Sequence, residues 1–596
     1  MSPRPAPTFA PQVDPVAHAA KLSAAGKPAE AAALLRRVLS RDSRNAAARK
    51  ALAGLGKHAR PALNLTPQDR KDAKALERAV SGAKWPQVIS GARALLGRQP
   101  LMGDAANALG TALRMSGQLN DAMRAYDHAL RADPALPDSY INLSALLLQM
   151  NQPAAALDAA QAALDVAPKM AESHLAMGLA LYDLDRISEA EGQLRQAVDL
   201  GPENPLNWDA LCRTLERLNR LDDLGQTVQQ ALKACPDHPL LQLHAAAALS
   251  RRKDNAAALA LLDRIKADAL PPHSRSVLEE LRGRVLDALG HCDEAFAAYT
   301  RMNDLQRRLH VKPGKPNSYA AMVDARLGGL DDLPAAWPQT LDSGPQPVFL
   351  VGFPRSGTTL LDTILRGHDH LAVVEEQPLC AHLSKGIAPD GEAAALAALT
   401  PQQIDQRRAA YLADFERHLG APLNGRLPVD KMPLNLSEAG AIARHFPGAK
   451  FILALRHPAD SVLSCYMQNF RPNEAMNNFL DLEQAARLYD RVFTLFDAYR
   501  ARLGLDVVEI RYEDLITDLR GAVEPVLTHL GLDWHDDMAD YQSAARARPV
   551  IRTPSYKQVT QGLYTSAQGR WHRYQAHMTP ALDHLKPWIE RWGYDA

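Results

Sequence analysis

Cysteine is scarce. Cys212, Cys235, Cys292, Cys380 and Cys465 are the 5 cysteines in 596 residues, far apart and without a CxxC pair, which excludes a zinc ribbon or a disulfide framework read from spacing. Net charge is absent, with 68 Lys plus Arg against 68 Asp plus Glu, so no global field holds nucleic acid or an anionic membrane and any anion site must be local. Long apolar runs are missing too, with no window of about 18 consecutive apolar residues. The opening MSPRPAPTFAPQVDPVAHAAK carries prolines where a signal peptide needs an unbroken apolar stretch. These absences lead to the expectation of a cytoplasmic chain with no transmembrane segment and no nucleic-acid partner. What is present, 46% hydrophobic and 23% charged residues, is a globular composition, and the length calls for several units.

The first half repeats. Pro100, Pro134, Pro168, Pro202 and Pro236 each follow the last by 34 residues, and the rest of the unit keeps register. Ten residues past each proline stand Gly110, Ser144, Gly178, Cys212 and Ala246, small residues where two helices must touch. Twenty-six past stand Tyr126, Ala160, Leu194, Val228 and Leu262, a mostly apolar stripe on a second helix. The pattern resembles the tetratricopeptide repeat. Weaker copies near Thr66, in residues 18–52, and around ALGHCDEAFAAYTRMNDL (288–305, displaced by three) extend the array to roughly seven or eight repeats. Stacked helix pairs build one core and a concave surface that binds peptides or proteins, or else serve as a structural arm.

Residues 311–346 are rich in Pro and Gly, and composition changes across them: of 11 Phe only Phe9 and Phe296 lie before, while Trp534, Trp571, Trp588 and Trp592 are four of the 7 Trp. Beyond, short apolar strands PVFLVG (347–352), AVVEE (372–376), KFILAL (450–455) and DVVEI (506–510) alternate with amphipathic helices, which predicts an α/β domain with a parallel sheet. The expected fold is therefore multidomain: a flexible N-terminus (1–14), an all-α repeat solenoid (15–310), a linker (311–345) and an α/β P-loop-like domain (346–596). Strand ends of such a sheet carry its site.

One loop at a strand end is chemically explicit. Gly352-Phe353-Pro354-Arg355-Ser356-Gly357-Thr358-Thr359 runs from VFLV into the helix starting LLDTILRG. Glycines let successive N–H groups face an anion, the helix start adds partial positive charge, and Ser356, Thr358 and Thr359 add hydroxyls. Thr358 stands where a GxxxxGK[ST] loop has lysine, and strand FILAL runs into Arg456 rather than a magnesium-binding aspartate. The loop suits an anion without a metal.

Together, PRSGTT and LRHPADSVLS (455–464) resemble the phosphosulfate loop and the 3′-phosphate motif of sulfotransferases. PRSGTTLLDTIL, VVEEQ, DKMPLNL, FPGAKFILALRHP, RYEDL and SYKQV with GRW are most similar to tyrosylprotein sulfotransferases and to bacterial tetratricopeptide-sulfotransferase proteins. The resemblance implies transfer of a sulfuryl group from 3′-phosphoadenosine 5′-phosphosulfate (PAPS) to an acceptor hydroxyl, with no metal. It places Arg355, Ser356, Gly357, Thr358, Thr359, Arg456, Ser464, Tyr512 and Arg570 on the cosubstrate. Glu376 matches the general base, with Glu375 pointing the other way along an extended segment. Arg355 and Lys431 match cations near the transferred group, and Ser555 a donor on a covering segment. His368, His370 and His457 match no base position and are expected to be structural or surface histidines, and Gln468 stands where the family pattern has a basic residue. The expected acceptor is a protein or peptide tyrosine recruited by the repeats. A carbohydrate, lipid or small-molecule hydroxyl is the alternative, and an inactive nucleotide-binding scaffold a third reading.

Overall fold

The computed structural model describes residues 14–311, 314, 317–337, 345–543 and 568–595. The expected flexible N-terminus, apart from Asp14, and Ser555 with its SYKQV segment lie outside the described residues. The chain divides into two compact units, Met1–His244 and Ala245–Ala596.

In the first unit the 34-residue period is a run of helix pairs: Gly103–Met115 with Leu119–Ala132, Pro137–Gln149 with Pro153–Val166, Ala171–Asp183 with Ile187–Leu200, and Pro205–Arg217 with Leu221–Ala234. A Cβ at Gly110 would lie 2.6 Å from the Tyr126 ring, and one at Gly178 2.6 Å from Leu194, so in these two pairs the small residue of the first helix receives the large one of the second. The turn inside each pair has a left-handed residue at one fixed place, Gly117, Asn151, Asp185 and Asn219.

The copy expected in residues 18–52 departs from this stack. It forms Pro15–Ala24, Pro28–Arg41 and Ala46–Ala53, and the last packs on the Pro153–Val166 helix. There Arg49 donates to buried Asp165 at 2.9 Å, and Arg60 reaches Asp133 and Asp104, each at 2.7 Å. These ion pairs fold the segment back onto later repeats, and burial of Arg49 and Asp165 commits it there.

The second unit holds five parallel strands: β1 (Val348–Gly352), β2 (Leu371–Glu375), β3 (Leu427–Lys431), β4 (Lys450–Leu455) and β5 (Asp506–Arg511), in the order β2-β3-β1-β4-β5. Both faces are covered, as the unbroken apolar strands require. Val348, Leu350, Ile452 and Ala454 pack on one face with the Thr358–Leu365 and Leu519–Leu530 helices. Phe349, Val351, Phe451 and Leu453 pack on the other with the Leu482–Leu503 and Gln575–Arg591 helices, where most aromatics gather.

Leu286, Ala295, Ala298, Tyr299 and Met302 join this aromatic core. They belong to helices Pro272–Ala288 and Cys292–His310, the pair expected as the last repeat, so that pair is built into the second unit. Gly283 faces Tyr299 sixteen residues on, as Gly110 faces Tyr126, so this copy keeps its internal spacing and is displaced by three residues as a whole. Within the expected linker, Asn317 caps a helix, Ser318–Gly328, whose buried Arg326 pairs with Glu392 and Glu438 at 2.6 and 2.7 Å. No helix among the described residues is long and apolar enough to cross a membrane.

Candidate active site

The C-terminal ends of all five strands share one edge, and the chemistry lies along it. After β1 the chain turns sharply: a Cβ on Gly352 would sit 2.5 Å from the Ala454 carbonyl oxygen, so only glycine fits. Arg355 follows with φ of 72°, a left-handed conformation costly for a side chain and typical of over-determined functional loops. Gly357, with φ of 95°, starts the Thr358–Leu365 helix against Tyr512, whose ring leaves no room for a Cβ. Thr358 and Thr359 are buried at the helix start.

The two halves of the expected cosubstrate site interlock. Arg355 donates from Nε to Ser464 Oγ at 3.1 Å, and Arg456 donates from Nη1 to the Arg355 carbonyl at 3.1 Å. Ser464 lies on the Pro458–Tyr466 helix, directly after Arg456 and His457. The Arg456 guanidinium stands 5.1 Å from the Tyr512 ring centroid, which fixes its plane. Ser356 is 2% exposed, and its hydroxyl has no hydrogen-bond partner among the described residues. A buried, unsatisfied donor inside a glycine-shaped cradle flanked by two arginines fits an anionic donor group.

On the other side of β1, β3 ends at Lys431 and β2 at Glu375. Lys431 is wholly buried, yet its Nζ lies 2.8 Å from Glu376 Oε1, 3.8 Å from Glu375 Oε2 and 4.0 Å from Asp362 Oδ2. Burial works against the ammonium, but Glu376, Asp362 and Glu375 together more than offset it and hold its pKa above the ordinary value. Glu376 adopts φ of 50°, pinned by its N–H donating to the Lys431 carbonyl at 2.8 Å. Its side chain is 40% exposed, whereas that of Glu375 is 10% exposed. Burial first, then the charge and hydrogen bond of Asp362, push Glu375 up to about 7. Of the two acids, then, Glu376 is the one open to solvent.

His457 and His368 are tied into the fold, and His370 is exposed. His457 accepts from Ala459 N–H, caps its helix, stacks on Trp571 and meets the Asp595 carbonyl at 3.0 Å, while His368 accepts from His370 N–H and meets the Asp533 carbonyl. Gln468 turns toward Glu280, 3.4 Å away. The backbone on either side of Arg570 meets Asp460 of the Pro458–Tyr466 helix, but its guanidinium is held by Asp287 at 2.8 Å.

Three acids around the strand ends were not legible in the sequence. Asp362, fully buried, bridges Lys431 and Arg366, and the single acid in the apolar run TTLLDTIL was its only signal. Asp460 accepts from the N–H groups of Gly569 and Trp571. Asp430 is wholly buried against Tyr411, which donates to it at 2.9 Å.

Residues 347–536 match the sulfotransferase family, and residues 142–205 match the tetratricopeptide repeat. An uncharacterized protein of Aquifex aeolicus is 27% identical over 248 residues, 40% of this chain but only 32% of that protein. Protein-tyrosine sulfotransferase 2 of Gallus gallus is 23% identical over 263 residues, 42% of this chain and 69% of that one. A solved tetratricopeptide repeat protein of Parabacteroides merdae aligns at a TM-score of 0.33 and 17% identity, over 40% of this chain and 94% of its own. The chain thus joins tetratricopeptide repeats to a C-terminal sulfotransferase-family domain with distant similarity to protein-tyrosine sulfotransferases.

Proposed function

We propose that the protein transfers the sulfuryl group of PAPS to a tyrosine hydroxyl of a protein or peptide acceptor recruited by the repeats. The observation that carries this is the Lys431–Glu376 pair, 2.8 Å apart at the ends of adjacent strands, beside a loop already clasped by Ser464 and Arg456. PAPS supplies an activated sulfuryl group on a phosphate leaving group. The chain's residues do the rest. Arg456 and Ser464 suit the ribose 3′-phosphate, and the cradle with Ser356 suits the phosphosulfate.

The acceptor hydroxyl donates to the half-exposed Glu376 carboxylate. As the bond from acceptor oxygen to sulfur forms and the bond from sulfur to the phosphate oxygen breaks, the hydroxyl proton passes to Glu376 and charge grows on the departing phosphate. Arg355 and Lys431 meet that charge with donors already fixed in place, and Lys431 also orients the base. The product nucleotide is adenosine 3′,5′-bisphosphate, and Glu376 releases its proton to water. The tyrosine acceptor is favoured by similarity to the protein-tyrosine sulfotransferases, and the free state of all five cysteines suits a cytoplasmic location.

Calorimetry without added metal tests the donor. PAPS is expected to bind more tightly than adenosine 5′-phosphosulfate or ATP, and Arg456→Ala to abolish the preference. Equal binding of ATP overturns the proposal. Turnover on tyrosine peptides then tests the acceptor.

A further inference from the structure

A residue of the last repeat is linked to Arg456 by two hydrogen-bonded steps and one ion pair. Asp287, on the Pro272–Ala288 helix, is largely buried. Its Oδ2 accepts from Arg570 Nη2 at 2.8 Å, its Oδ1 from the Tyr574 hydroxyl at 2.6 Å, and Arg573 Nη2 stands 3.2 Å from Oδ1. One carboxylate thus holds three side chains, that of Arg570 within the GRW motif and those of Arg573 and Tyr574 just after it. The backbone of that segment is held from the opposite side. Gly569, in the left-handed region with φ of 65°, donates to Asp460 Oδ2 at 2.7 Å, and Trp571 donates to Asp460 Oδ1 at 2.9 Å. Asp460 is 2% exposed and its Oδ2 lies 3.8 Å from Arg456 Nη2. Trp571 stacks on His457, the residue after Arg456, with ring centroids 5.1 Å apart.

We infer that Asp287 is a positioning residue of the donor site: through Arg570 and the 569–571 turn, the last repeat sets the 3′-phosphate grip made by Arg456 and Ser464. This rests on the assignment of PAPS as donor. Asp460 holds the N–H groups at both ends of the turn and Asp287 the Arg570 side chain between them, so releasing Asp287 leaves Asp460 and the Trp571 ring holding a segment whose side-chain anchor is gone. Asp460 touches both that turn and Arg456, so a shift in one moves the other. The Arg570 Nε, buried and without a hydrogen-bond partner among the described residues, keeps a further donor in the same turn. The Cys292–His310 helix, the partner of Pro272–Ala288, shares the aromatic core of the sheet through Ala295, Ala298, Tyr299 and Met302, so Asp287 stands on a rigid support rather than a mobile arm.

The test compares adenosine 3′,5′-bisphosphate with adenosine 5′-phosphate, which lacks the 3′-phosphate, on the full-length wild type, Asp287→Asn, Arg570→Gln and the double variant. Wild type is expected to prefer the bisphosphate. Asp287→Asn should lower that preference about ten-fold, the worth of one charge-assisted hydrogen bond, while leaving adenosine 5′-phosphate binding unchanged. The double variant should lose no more than either single one, as two members of one chain do. Tyr574→Phe, which removes one bond and keeps the ion pairs, provides a milder variant should Asp287→Asn unfold. An unchanged preference, or an equal fall for both nucleotides, overturns the positioning role while leaving the donor assignment intact. A wild type with no preference for the bisphosphate instead refutes the donor assignment.

Discussion

Lys431→Met separates the two duties of the buried lysine, because they fall on different carboxylates. At an effective dielectric of about 20, attraction to Glu376 at 2.8 Å is about 6 kcal/mol and to Asp362 at 4.0 Å about 4 kcal/mol, while Glu375 at 3.8 Å, pushed up to about 7 and so about half ionised near neutral pH, adds about 2 kcal/mol, before desolvation is subtracted. Yet the nearest partner costs least to lose: the Glu376 side chain is 40% exposed, so water replaces much of its ammonium. Glu375 and Asp362 are buried and gain no such replacement, though Asp362 keeps Arg366 at 2.6 Å. Stability is therefore expected to fall by about 3 kcal/mol, the low end for breaking a buried pair, and the fall belongs to the two distant acids. The kinetic loss belongs to Glu376 and the transferred group. Removing one preorganised cation costs about 10²–10³ in kcat. Urea unfolding reads the first quantity and single-turnover sulfuryl transfer on the folded variant the second. A folded variant with turnover within about three-fold of wild type would show Lys431 to be a strut of the sheet edge, with no part in the chemistry.

Glu376→Gln should keep adenosine 3′,5′-bisphosphate binding and lose about 10²–10⁴ in kcat, whereas Glu375→Gln, replacing a carboxyl already pushed up to about 7 by burial and Asp362, should lose far less; reversed losses would move the base to Glu375. Gly357→Ala should weaken nucleotide binding and cost about 1–3 kcal/mol of stability, since its Cβ would meet Tyr512 Cδ2 at 2.7 Å in a backbone region that favours glycine; an unchanged affinity would show that the ring yields freely. Burial pushes Asp430 from 3.8 up to about 7, so the folded chain keeps a proton that the unfolded chain has released. Its stability contribution is fully present below pH 3.8 and is lost as pH rises toward 7. Asp430→Asn should thus match wild type near pH 4 and exceed it by about 2–4 kcal/mol at pH 8 in urea unfolding, and a difference independent of pH would refute the buried-acid account.

What the sequence made legible was local or periodic. The 34-residue period became helix pairs because Gly110 and Gly178 must receive Tyr126 and Leu194, a demand readable from spacing alone. The apolar strands were legible because burial on both faces leaves no polar alternation to confuse them. The fate of residues 18–52 was not. An amphipathic hairpin suits stacking and back-folding equally well, and the pair that decides between them, Arg49 with Asp165, joins positions 116 residues apart. The left-handed turn residues escaped notice for another reason. Ala83, Gly117, Asn151, Asp185 and Asn219 keep the 34-residue spacing but differ in side chain, so the constraint acts on the backbone and shows little in the letters.

The site divides along the same line. A loop built for an anion through backbone geometry carries its chemistry in a short motif, so Arg355, Ser356 and Gly357 could be proposed from the motif itself, and Arg456 and Ser464 from the family resemblance of theirs. The acids that hold those residues in place could not. Asp362, Asp460 and Asp287 each act on groups from distant parts of the chain, and a single acid inside an apolar or repeat helix reads as an ordinary helix residue until its partner is seen. Arg570 shows the consequence. Its motif assigned it to the nucleotide, but the structure adds a repeat carboxylate at 2.8 Å, so its charge serves Asp287 first and whatever reach it has toward a phosphate is set by the repeat helix. If that ordering holds, cutting the chain before residue 346 removes a working part of the donor site together with the repeats, and a shortened domain that still discriminates for the 3′-phosphate as the full chain does would show that Asp287 is dispensable.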